Sequence, residues 1–225
     1  MESSSQVELE DKIKELSEDK QKMVRKLQEK IEDLKHLVEE QDGWKEATNK
    51  DGYIVHTKRT DSGLNCVRGQ GPIGFSAARV VEFITAEGNT PKYDSQFKEG
   101  KTIEDLGLGV NASISYSRYK GATLVSDRDF CMISATFKED DGKYVIIATS
   151  VEHPDCPEVK KVVRAELIIG GWIITPDATD PDNKCYAYYI TQTDPKGSVP
   201  KMFVNQVSKN QGMLPKEIYN ALKKE

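Results

Sequence analysis

Gly69, Gly71 and Gly74 spell GxGxxG between an extended-looking segment and a helical one, the spacing with which a loop can cradle a dinucleotide pyrophosphate. The neighbouring residues argue against that chemistry. A dinucleotide fold needs a buried, continuously apolar strand before the loop and an alternating β-α-β order after it. Leu64–Arg68 instead alternates apolar with polar, as an antiparallel strand does. Pro72 lies inside the motif and lacks the backbone N–H that a phosphate would use. The stretch reads as a strand-to-helix crossover, with Gly69 and Gly71 free to take positive φ.

The remaining reactive side chains do not assemble into a catalytic set. Cys66, Cys131, Cys156 and Cys185 are far apart, with no CxxC and no zinc spacing, and read as free thiols of a reducing compartment. His36, His56 and His153 fall in three unrelated segments. There is no GxSxG, HExxH or phosphate-binding P-loop sequence. Arg128-Asp129 and Arg164 with Glu166 read as ion pairs that support a fold. No convergent acid–base pair emerges, so the chain reads as a non-enzyme.

The elements that must position these residues come in a definite order. Among 225 residues the net charge is −5, and residues 1–42 carry all of that excess, with 13 acids against 8 bases. No basic stripe is present, which argues against a nucleic-acid partner. No apolar run is long enough to span a membrane, and the first residues lack the pattern of a signal peptide, so a cytoplasmic location is expected. Residues 8–41 lack Gly and Pro and read as one long helix of roughly 50 Å. Its apolar stripe shifts register from Leu9, Ile13, Leu16 to Val24, Leu27, Ile31, Leu34 and Val38, which argues against a uniform coiled coil. The second half is expected to pack on a domain, while the first projects or pairs loosely, open to a protein partner or to self-association.

From residue 43 the period becomes two. Strands are expected at Trp44–Thr48, Tyr53–Thr60 and Leu64–Arg68, then a helix over Ser76–Glu87 capped by Ser76, then a turn-rich stretch with a short helical piece near Thr102–Leu106. Long strands follow at Val110–Lys120, Phe130–Lys138, Lys143–Val151, Lys161–Thr175 and Lys184–Thr193. Val199–Lys224 is helical, with Ser198 as its cap, Pro200 in its first turn and a break at Gly212 to Pro215. Long antiparallel strands with terminal helices make an α+β protein, divided as an acidic N-terminal helix over 1–42 and a domain over 43–225. The strand Val110–Lys120 shows Asn111, Ser113, Ser115, Ser117 and Tyr119 on one face, a row either wet or lining an interior space.

Three stretches carry a family likeness: Ser126-Asp-Arg-Asp-Phe130; Val145–Pro154 running through Val163-Arg-Ala-Glu166 to Gly170-Gly-Trp172; and Asp194-Pro-Lys-Gly-Ser-Val-Pro-Lys201. Together they resemble the START domain, named after the steroidogenic acute regulatory protein. Phe203-Val-Asn205 after the last stretch looks most like the phospholipid-binding branch that includes phosphatidylcholine transfer protein. The resemblance covers roughly residues 40–225. It implies a helix-grip fold, in which a long curved antiparallel sheet wraps the C-terminal helix around a tunnel for one lipid. It implies no metal and no organic cofactor. It implies a carrier with transient membrane contact, gated by the last helix and the hairpins near Lys138–Lys143 and Thr175–Lys184. The lipid-binding residues it points to are Asp94, Ser115, Tyr119, Met132, Ser134, Trp172, Phe203, Val207 and Ser208. One position departs from the branch: of the arginine and the acid that hold the head group there, the acid matches Asp94 but the arginine position falls on Thr90, which leaves Arg118 or Lys92 as substitutes and keeps a neutral lipid, sterol or ceramide-like ligand open. The alternatives to a carrier are an adaptor or sensor that works through its N-terminal helix, or an enzyme on the same architecture.

Overall fold

The computed structural model describes residues 4–108, 111–121 and 125–225, with the side chains of 4–7, 201–203 and 205–206 outside that description. Val110, where one strand was expected to begin, is among the residues not described. The chain runs α1 (Ser4–Glu15), α2 (Glu18–Glu39), β1 (Lys45–Lys50), β2 (Tyr53–Arg59), β3 (Asn65–Ile73), α3 (Ala77–Thr85) and α4 (Thr90–Tyr93). It continues through β4 (Phe97–Asp105), β5 (Ser113–Tyr119), β6 (Arg128–Lys138), β7 (Tyr144–Ser150), β8 (Val163–Arg164), β9 (Glu166–Pro176) and β10 (Cys185–Asp194), and ends in α5 (Lys201–Gly212) and α6 (Leu214–Leu222). One sheet is ordered β1-β2-β3-β10-β9-β7-β6-β5-β4, with β8 paired in parallel to β6 and every other pairing antiparallel.

The sheet separates two apolar layers. On its outer face Ile114, Ile133, Ile147 and Ile190 are fully buried beneath Val24, Leu27 and Leu34 of α2 and Ile13 of α1. On its inner face Ile73, Trp172, Ile174 and Ala187 meet α3 and α6 through Val80, Phe83, Leu214 and Ile218. Period-two alternation sends successive side chains to opposite layers. Arg68 joins the sheet to α2: its Nη1 donates to the carbonyls of Leu37, Val38 and Glu40 at 3.2, 3.1 and 2.8 Å, satisfying C-terminal acceptors of the helix. The guanidinium also lies 4.5 Å from the centre of the Trp44 ring.

Several expectations are corrected. The single long N-terminal helix is two helices, broken at Leu16–Ser17. The first half does not project: α1 folds back on α2, Ile13 is 0% exposed, and Gln28 Nε2 donates to Glu10 Oε1 at 3.4 Å. Burying both apolar stripes explains the register shift. The piece near Thr102–Leu106 is strand β4, and the short helix lies earlier, at Thr90–Tyr93. The segment Lys161–Thr175 divides into β8 and β9. Pro200, not Ser198, caps α5, while the expected break in the last helix falls at Met213.

The glycine stretch is the largest revision. Gly69 and Gly71 lie inside β3 with extended backbones, neither at positive φ. Their role is close approach. A Cβ on Gly69 would sit 1.9 Å from the Gly212 carbonyl oxygen, and one on Gly71 would sit 2.3 Å from the Tyr53 ring. The helix after this stretch does begin as expected, with Ser76 Oγ accepting from the Arg79 N–H at 3.3 Å.

Candidate functional site: the space between the inner sheet face and the C-terminal helices

Strand register lines up a row of small residues across the inner face. Ser113 faces Ser134, Ser134 faces Ala148, Ala148 faces Gly170, and Gly170 faces Thr191. The neighbouring row holds Thr102, Ser115, Met132 and Ser150. On the outer face Ile114 faces Ile133 in one row, and Ile147 and Ile190 flank Gly171 in another, all under the helices. The burial of β6 strictly alternates from Asp129 to Thr136, its outward residues buried and its inward ones half-open. A close-packed layer would put bulky side chains inward. Here the inward side chains of these rows are mostly small, and several carry hydroxyls that can donate or accept hydrogen bonds.

The expected site residues divide as follows. Ser115, Met132 and Ser134 share the inner face with Tyr119, whose ring makes edge contacts with Phe97 and Phe130 at 5.7 Å each. Burial pushes the Tyr119 phenol well above its ordinary value, and its side chain is half-buried. Trp172 stands in a second inward row, opposite Ile146 on one side and Tyr189 on the other, and its ring lies 4.5 Å from that of Tyr189. Val207 is half-buried and Ser208 buried on α5. Phe203 falls in α5 but its side chain lies outside the described residues.

Asp94 is 6% exposed just after α4. Its carboxylate accepts from the Gln96 N–H at 2.9 Å and from Gln211 Nε2 at 3.2 Å, and Gln211 Oε1 accepts from the Tyr189 hydroxyl at 3.1 Å. Burial raises the Asp94 carboxyl above its ordinary value, and these hydrogen bonds offset only part of that effect. Burial likewise pushes Tyr93, next in sequence, up to about 12. The chain Asp94–Gln211–Tyr189 ties the end of α5 to the sheet and to the short helix.

The suggested substitutes for the missing arginine are engaged elsewhere. Lys92 Nζ pairs with Glu225 at 2.9 Å. Arg118 points to the outer face, where it pairs with Asp127 at 2.7 Å and Glu99 at 3.2 Å. The charged pairs read as structural take that role with altered partners. Arg164 Nε bonds Asp129 at 2.8 Å, and Glu166 pairs with Lys196 at 2.8 Å. Arg128 donates to the carbonyls of Ser126, Pro195 and Lys196. His153 sits 3.3 Å from Glu104 at the far edge of the sheet. All four cysteines are unpaired and buried.

Gln211 and the small row through Ala148, Gly170 and Thr191 were not anticipated from sequence. Gln211 is one of several polar residues on its helix, with no spacing that marks it. The small row could have been found by combining inward parity with hairpin register.

Comparison with known proteins places this geometry. A family model for the START domain matches residues 24–215. START domain-containing protein 10 of Homo sapiens is 35% identical over 117 residues, covering 52% of this chain and 38% of its own length, so the aligned part spans well under half of that relative. StAR-related lipid transfer protein 5 of Mus musculus is 27% identical over 166 residues, covering 72% of this chain and 78% of that protein. The solved structure of human StAR-related lipid transfer protein 5 has the same fold, with a TM-score of 0.81 at 22% identity over 91% of this chain and 98% of that one. The crystal structure of human STARD10 gives a TM-score of 0.74 at 28% identity, over 86% and 78% of the two chains. Because that family model covers most of its length, residues 24–215, the chain belongs to the START domain family.

Proposed function

We propose that this chain binds one lipid, a phospholipid by preference, between the inner sheet face and the C-terminal helices, and carries it through water between membranes. The observation that carries this reading is the inward row Ser113, Ser134, Ala148, Gly170 and Thr191, small side chains where a close-packed layer would need bulky ones. Each acyl methylene withdrawn from water there contributes about 0.8 kcal/mol, enough for a long chain to be held against solvent while a membrane still competes for it. The names of its relatives, among them a lipid transfer protein, support the same activity. The nine residues from Asp94 to Ser208 pointed to by the family likeness are the proposed lining.

The head group would meet a polar end without an arginine clamp. Thr90 stands at the arginine position, and Gln211 already donates to Asp94. A neutral or zwitterionic head therefore fits better than an anionic one. Membrane contact would be transient, at the hairpins and helix ends around the opening. No helix among the described residues is long and apolar enough to cross a membrane. Four buried, unpaired thiols suit a reducing compartment such as the cytoplasm.

The test is native mass spectrometry of the purified chain, followed by extraction and identification of what it holds. One phospholipid per chain is the expected result. A protein that arrives empty, and takes up no phospholipid, sterol or ceramide from vesicles, would overturn the proposal and favour an adaptor acting through its N-terminal helices.

A further inference from the structure

A second cavity lies on the opposite side of the sheet. It has a volume of about 340 Å³ and lies between the α1–α2 hairpin and the outer face of the sheet near β5 and β6, partly open to solvent. Ala112 and Ala135 lie in its floor, and Leu9 and Ile13 of α1 form its roof. Glu10 and Gln28 are the polar residues among its walls, and both are half-buried. Every other residue around it is apolar. The roof lies outside the part matched by the family model, which begins at residue 24.

We infer that this cavity is a ligand site for a single-chain amphiphile whose head group donates hydrogen bonds, a long-chain alcohol or amine. The size decides the chain count: about 340 Å³ lies near the lower end of the roughly 300–1,000 Å³ typical of small-molecule sites. Two acyl chains with a head group do not fit. The floor keeps the room open, because Ala112 and Ala135 stand where the next residues along the same face, Ile114 and Ile133, carry bulkier side chains. A void of this size left empty forfeits the dispersion contacts of its walls. The polar end decides the head group. Gln28 Nε2 reaches Glu10 Oε1 at 3.4 Å, a long hydrogen bond that a better donor would replace. A carboxylate welcomes a hydroxyl or an ammonium and repels a carboxylate or phosphate.

The site is independent of the proposed lipid space, and isoleucine methyls can report the two separately. Ile13, Ile31 and Ile133 border the outer cavity, whereas Ile146 and Ile174 face inward. The full chain, labelled at isoleucine methyls, would be titrated with dodecylamine, dodecanol and dodecanoate. Saturable shifts at Ile13, Ile31 and Ile133 are expected with the amine, the alcohol or both, and whichever is stronger identifies the head group. Dodecanoate should bind there at least about tenfold more weakly than the favoured ligand. Glu10→Gln should narrow that gap if the amine is favoured and leave the alcohol within a fewfold. Ala135→Phe should abolish the outer shifts while leaving those at Ile146 and Ile174. If Ala135→Phe does not fold, the wild-type titrations still decide. No saturable outer shift, or dodecanoate equal to both of the other ligands, would overturn the inference whatever the inward methyls show.

Discussion

Asp94 is a buried carboxyl tied to the end of α5. Its carboxyl is buried, two neutral donors hold it, and its pKa is raised above the ordinary 3.8. The folded state therefore binds the proton more tightly than the unfolded one. Below pH 3.8 both states are protonated and the contribution to stability is fully present; it is lost as pH rises through the folded value. Asp94→Asn lacks this titration. Its unfolding free energy should gain on that of the wild type as pH increases from about 3.8 towards neutrality. Denaturant melts of both proteins across that range check it, and parallel pH curves would show that the burial of Asp94 has no energetic consequence. The family likeness found Asp94 but not its partner: Gln211 lies 117 residues away in sequence, and only the folded chain brings them together.

At the level of elements, the strands with one buried face were legible because their period shows in the residues. β6 alternates Cys131, Ile133 and Ala135 with Met132, Ser134 and Thr136, and each set keeps to its own layer. β4 was not legible. It is an edge strand, mostly exposed, and Phe97-Lys-Glu-Gly-Lys-Thr-Ile-Glu-Asp105 has too few apolar residues to reveal a period. The break between α1 and α2 was also hidden, since Leu16 and Ser17 carry neither glycine nor proline, and folding back is driven by tertiary burial of Ile13. The glycines of β3 were visible but assigned to the wrong cause. Gly69 answers to α5, whose last residue lies against the strand, and Gly71 answers to the Tyr53 ring. Gly69→Ala would drive a methyl into the Gly212 carbonyl, and backbone on both sides leaves little room to yield. A loss of about 1–3 kcal/mol is expected from such overpacking. Amide exchange in residues 201–212 should also quicken relative to that in α2. An unchanged denaturation midpoint with unchanged protection would mean that α5 can shift without cost.

Over the whole molecule, a single sheet separates a layer covered by α1 and α2 from one closed by α3, α5 and α6. The outer isoleucines bind α2 permanently to the scaffold, whereas the inner small row leaves α5 and α6 to close the opposite side. The contacts that hold α5 there include the glycine contact and the Asp94–Gln211–Tyr189 chain, both at its C-terminal end. On the proposed reading, a lipid leaves only when this helix lifts. Cross-linking tests that directly. A Cβ on Gly212 would lie 3.1 Å from the Val55 Cβ, and a disulfide needs about 3.5–4.5 Å, so a shift of a few tenths of an ångström accommodates the bond. The native thiols should not compete, since burial pushes Cys66, Cys131 and Cys185 up to about 12 and keeps them protonated. In the double variant Val55→Cys with Gly212→Cys, transfer of a fluorescent phosphatidylcholine from protein to vesicles should slow by about tenfold or more on oxidation, a barrier increase of about 1.4 kcal/mol, and recover on reduction. Equal rates in both redox states, with the cross-link verified by mass, would mean that the lipid exits elsewhere, by way of the hairpins at Lys138–Lys143 and Thr175–Lys184. The moving part would then be the rim of the sheet, and the contacts that hold α5 would serve stability alone.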